Sequence, residues 1–142
     1  MVVILKVHLL ATVFMVGLIW FIQIVHYPMF ADVGPDAFVR YERIHQQRTT
    51  WVVMPVMLVE LATAILLVVD STKTVTPSIA WIGAFLLAVA WATTFFVSVP
   101  CHTQLAGGMD DAVLNRLVFS NWIRTAAWTI RGVGAVWILK LA

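Results

Sequence analysis

The chain has 142 residues, of which 62% are hydrophobic and 11% charged, and its mean hydropathy is +0.96. That composition excludes an ordinary soluble domain. A formal charge of +2 is too small to hold a nucleic acid, and the single cysteine, Cys101, excludes an intramolecular disulfide.

Crossing about 30 Å of hydrocarbon takes about 20 apolar residues. Four stretches meet that length, at about 2–25, 50–69, 79–99 and 117–141. The predicted fold is therefore an all-α, single-domain integral membrane four-helix bundle. The first stretch is too long for a signal-peptide core and lacks a small-residue cleavage site, so it is read as retained. Tyr27-Pro28 and Gly34-Pro35 end the first helix, and Asp36 is the predicted N-cap of a second helix that runs on into the second span with a kink at Pro55. After the short turn from Asp70 to Pro77 comes the third span. Gly107-Gly108 closes the next connection, and Asp110 or Asp111 caps the helix that becomes the fourth span.

Four crossings place both termini and the Asp70–Pro77 turn on one side, with the connections 26–49 and 100–116 on the other. Lys6, Lys73 and Lys140 flank the terminal side, and Arg40, Arg43, Arg48 and Arg116 the loop side, so positive charge sets no orientation. An ungapped offset of 76 matches His26 with His102, Arg40 with Arg116, Arg48 with Arg124 and Thr49 with Thr125. Two duplicated hairpins explain these matches, and chance is the alternative.

Three of the four histidines, His26, His45 and His102, fall on the loop side, where intramembrane or interfacial titratable groups point to function. His8 lies eighteen residues before His26, on the same helix face but roughly 27 Å away, so the two cannot share a small site. Helical phase puts Glu42, His45, Thr49 and Glu60 on one stripe, and Asn121, Arg124, Trp128 and Arg131 on another, both facing the interior. Glu60 and Arg124 are expected at similar depth, as an ion pair or as substrate-binding groups.

Several chemistries suit the loop-side residues. Glu42-x-x-His45 has the spacing with which one helix presents a carboxylate and an imidazole to a metal, although a di-iron bundle needs two such motifs. Cys101-His102 with His26 and His45 would make a mononuclear transition-metal site. Haem would take His26 and His102 as axial ligands, with Arg48 or Arg124 near its propionates. With no cofactor, His45 would act as a general base while Arg124 and Asn121 stabilise the resulting anion, with Glu60 a further catalytic candidate. A small oligomeric channel or transporter along the Asn121–Arg131 stripe, or a structural subunit, are the competing classes.

The run Ile24-Val25-His26-Tyr27-Pro28, then His45, Pro55 and Glu60, and above all Asn121-Trp122-Ile123-Arg124-Thr125 with Trp128, resembles small four-helix bacterial membrane proteins related to the anthrone-oxygenase-like family. The likeness covers the whole four-span layout. It implies oxidation of a lipophilic aromatic substrate without an obligatory cofactor, in a bacterial inner membrane, with His26, His45, Asn121, Trp122 and Arg124 as contributors. Cys101-His102 and Asp110-Asp111 depart from that family's pattern, which puts cofactor independence in question. A more distant likeness, through Lys6-Val7-His8, is to small haem-binding protoporphyrinogen oxidases, whose further signature is absent here. The partners expected are a lipophilic substrate, membrane lipids and, in a homo-oligomer, other copies of the chain.

Overall fold

A computed structural model describes residues 2–70 and 75–141. The chain builds four helical rods. The first is α1 (Val2–Phe21), continued by a π-helical segment, Ile22–His26, and a 3-10 turn, Pro28–Asp32. The second is α2 (Pro35–Val69). The third is α3 (Pro77–Thr93), a second π segment at Thr94–Ser98, and α4 (Val99–Leu105); the fourth is α5 (Asp111–Leu141). Lys73, and with it most of the expected turn between the second and third spans, lies outside the described residues.

Three rods, Val2–Asp32, Pro35–Val69 and Pro77–Leu105, are long and apolar enough to cross a membrane. The fourth has its polar side turned inward. Asn121, Arg124, Thr125 and Arg131 are buried, while Phe119, Ile123, Ile130 and Val133 are exposed on the outer face. α1 packs on both α2 and α5, and α3 packs on α5, whereas the seam between α2 and α3 is looser. The core is layered along the rods. Ile22, Tyr27, Phe30, Phe38, Leu105 and Leu117 fill the loop end; Met15, Ile19, Met57, Ala90, Ala127 and Trp128 the middle; Leu5, Leu67, Val75 and Ala80 the terminal end.

Several boundaries differ from those the sequence suggests. α4 carries Cys101 and His102, so the third rod runs through Leu105 and the connection shrinks to about 106–110. Pro100 does not stop it, because the π segment before it widens the turn where a proline ring would otherwise meet the carbonyl four residues back. Pro28 stands in the same relation to the first π segment. The cap of α2 is Gly34, with Pro35 at the first helical position, and Asp36 sits in the first turn instead of capping it. Asp110 does cap α5: its Oδ1 accepts from the amides of Ala112 at 2.9 Å and Val113 at 3.1 Å.

The two halves share an order of elements, a rod interrupted by a π segment followed by a long helix, but with two registers. Ile22 and Thr94 open the π segments, and Pro28 and Pro100 follow them, at a spacing of 72; the capping residues Gly34 and Asp110 are 76 apart. The offset of 76 therefore holds only for α2 and α5. His26, inside a π segment, and His102, two residues beyond Pro100, occupy different local positions, so they are not symmetry mates.

Candidate metal centre

The three loop-side histidines converge. His26 comes from the first π segment, His45 from α2 and His102 from α4, with ring centroids 4.7 Å apart for His26–His45 and 5.1 Å for His45–His102. The π segment matters here, because His26 is its last residue, and the wider turn shifts its phase relative to the preceding α-helix and turns the ring toward His45 on α2. Phe30, fully buried on the 3-10 turn, meets His26, His45 and His102 at 5.3, 5.1 and 6.4 Å and forms an apolar floor beneath them.

Polar contacts fix each ring. His26 Nε2 lies 2.8 Å from His45 Nδ1, which Thr49 Oγ1 also approaches at 3.1 Å. His102 Nδ1 is 2.6 Å from Glu42 Oε1, and its Nε2 is 3.1 Å from the Tyr27 hydroxyl. Gln46 donates to Glu42 Oε1 at 3.1 Å and to the His102 carbonyl at 2.8 Å, tying α2 to α4. Glu42 is 0% exposed, yet its Oε2 has no hydrogen-bond partner among the described residues. A buried carboxylate oxygen left bare is costly, and it aims lone pairs at a place where something positive belongs.

Ligand atoms of Glu42, His45 and His102 all lie within 4.8 Å of one another. Two bonds of about 2.1 Å meeting at a tetrahedral angle hold their ligand atoms about 3.4 Å apart, so side-chain closure of up to about 1.4 Å would seat all three on one ion. The short His102–Glu42 contact holds an imidazole and a carboxylate together at the place where a cation would bridge them. His26, Thr49, Gln46 and Tyr27 then form the outer layer that orients such ligands.

Cys101 stands apart from this set; it is buried in the apolar cluster with Leu105 and Leu117. His26 contacts His45 and is not among the three grouped ligands. A haem between His26 and His102 would have to break the His26–His45 and His102–Glu42 contacts and open three rings already packed together. Arg48 is exposed beside a shallow cleft that His26 also lines. Trp122 faces outward, 44% exposed, with its ring edge-on to Trp20 at 5.7 Å.

Arg124 does reach the site. A cavity of about 200 Å³ is lined by Tyr27, His45, His102 and Arg124, with apolar Ile22, Met57 and Phe95 also on its wall. The Arg124 guanidinium is 5% exposed, donates to Ser98 Oγ at 3.2 Å and Asn121 Oδ1 at 3.1 Å, and lies 5.4 Å from the Trp128 ring. Its Nε is buried without a partner, and no carboxylate pairs with it among the described residues. Asn121 is a positioning residue: it donates to Gln23 Oε1 at 2.9 Å while accepting from Arg124.

Glu60 belongs elsewhere. Its partner is Arg131, at 3.0 Å, and not Arg124; Thr12 donates to it at 2.8 Å and Trp128 at 2.9 Å. His8 joins this second cluster through Thr63 at 2.8 Å and Arg131 at 3.4 Å, and Arg131 also donates to the Gly83 carbonyl. Tyr27, Phe30, Gln46, Gln23 and Ser98 are the site residues that sequence reasoning missed. Gln46 was visible in principle, four residues after Glu42 on the same helix face.

No protein-family model, curated protein or solved structure matches this chain.

Proposed function

We propose that the protein is a membrane-embedded oxidoreductase of oxygenase type, in which Glu42, His45 and His102 hold one transition-metal ion and act on a lipophilic molecule with an acidic head. The observation that carries this reading is the convergence of those three side chains within 4.8 Å around a buried carboxylate oxygen that has no partner among the described residues. Two imidazoles and one carboxylate are the ligand set of non-haem iron enzymes that use dioxygen. The metal would supply the redox chemistry. The chain supplies the rest: Tyr27 meets His102 on the cavity wall and orients its ring, and Arg124, a buried cation that pairs with no carboxylate among the described residues, offers charge to a phenolate or enolate.

The apolar middle layer, Met15, Ile19, Met57 and Trp128 among it, separates this site from the Glu60–Arg131 cluster, which favours a closed site over a continuous polar path. The family resemblance supports the same reaction class and a bacterial inner membrane, while the metal ligands replace the cofactor-free route with His45 as base. The test is elemental analysis of purified protein after dialysis, joined to dioxygen uptake with a lipophilic phenol. One iron per chain is expected, lost in E42Q and H102Q. R124Q should keep the metal and lose most of the uptake. Metal-free wild-type protein that shows full uptake overturns the proposal.

A further inference from the structure

Along the loose α2–α3 seam runs an apolar groove of about 670 Å³, more than three times the volume of the cavity beside the metal ligands. Phe95 lines both. It belongs to the second π segment, whose widened turn also brings Thr94 and Ser98 to the cavity wall, so the junction is built where the helix departs from regular geometry. From Phe95 the groove follows α3 back to Trp81, a rise of roughly 20 Å. Ala84, Ala88 and Ala92 open its floor, and Trp91, which also lines it, has a buried indole N–H without a partner.

From this continuity we infer that the groove seats the long apolar tail of the substrate whose acidic head lies by Arg124; the substrate class is a phenol or enol carrying an extended hydrocarbon chain. The inference rests on the proposed reaction site. Volume decides between this and a compact substrate: a cavity of about 200 Å³ takes a single small ring, and of the apolar clefts that share wall residues with it, the one at Ile22, Thr49 and Val53 is about 200 Å³ and the groove at Phe95 about 670 Å³, so the groove is the larger and the one with the length for an extended chain. Lipid tails are as apolar as the groove, so its contribution is not extraction from the membrane. It holds the head at one depth and one orientation.

The test compares two probes, 4-pentadecylphenol and 4-methylphenol, by calorimetric titration of the metal-loaded protein in one detergent. Each variant is compared with wild type within one probe, which cancels partition into the micelle. A88F and A92F fill the groove from exposed positions and should leave the fold and metal content unchanged. V133F, on the exposed face of α5, is the control. Expected is at least tenfold weaker binding of the long-chain phenol by both groove variants, with 4-methylphenol within twofold and V133F without effect. Unchanged binding of both probes, equal weakening of both, or a change of dimer to monomer in light scattering without probe selectivity overturns the inference. Metal stoichiometry on the same samples shows separately whether the reaction site itself stands.

Discussion

Removing Arg131 while keeping Glu60 tests how the bundle tolerates charge at its centre. Glu60 is 0% exposed and accepts from Thr12, Trp128 and twice from Arg131, at 3.0 and 3.2 Å. In R131M the carboxylate keeps two neutral donors and loses its cation, which costs about 3–5 kcal/mol for a buried pair broken on one side. E60M leaves the guanidinium with the Gly83 carbonyl and His8 and falls in the same range. In the double variant no charge remains. What is left is the unmet hydrogen bonding of Thr12 and Trp128, about 1 kcal/mol each, partly offset by methionine packing, so the total is about 1–3 kcal/mol. Unfolding by SDS titration, followed by tryptophan fluorescence, gives the three values. Single variants that cost under about 1 kcal/mol, or a double variant equal to the sum of the singles, refute the ion-pair account.

Three further predictions concern packing, capping and metal uptake. A Cβ on Gly132 would meet Val16 Cγ2 at 2.9 Å, so G132A should destabilise the α1–α5 contact by about 1–2 kcal/mol, and V16A should restore most of it in the same titration. D110A removes two capping bonds from α5 and should cost about 1 kcal/mol, with D110N close to wild type. Metal ligation needs unprotonated ligand atoms, so acid should weaken metal binding, and E42Q should bind more weakly than wild type, both read by equilibrium dialysis.

The fold was legible because a 20-residue apolar window is a direct image of bilayer thickness. That same window says little about where helices end. α2 begins at Pro35, well before the apolar stretch, and the third rod continues through Pro100 because a π segment absorbs it. Counting Glu60 from residue 50 and Arg124 from residue 117 is what matched them; from the true starts, Pro35 and Asp111, Glu60 is 25 residues in, Arg124 13 and Arg131 20, which brings Arg131 nearer its depth. Arg131 lies seven residues beyond Arg124, two turns along the same face, and phase alone does not separate them. Of the site, the histidines and Glu42 stood out by type and spacing. Tyr27, Phe30 and Gln46 did not, since aromatic and amide side chains are common in such helices and acquire a role only through the partners that tertiary packing brings. Cys101 drew notice through its neighbour His102, but adjacent helical residues point about 100° apart, and the fold sends the thiol into the apolar cluster.

The central claim is that Glu42, His45 and His102 ligate one ion, and X-ray absorption at the metal edge of the iron-loaded protein addresses it most directly. The account predicts a shell of nitrogen and oxygen at about 2.0–2.2 Å with outer-shell scattering from two imidazoles, unchanged in C101S and lost in H102Q. A sulfur shell near 2.3 Å that disappears in C101S, or a spectrum indifferent to H102Q, contradicts it.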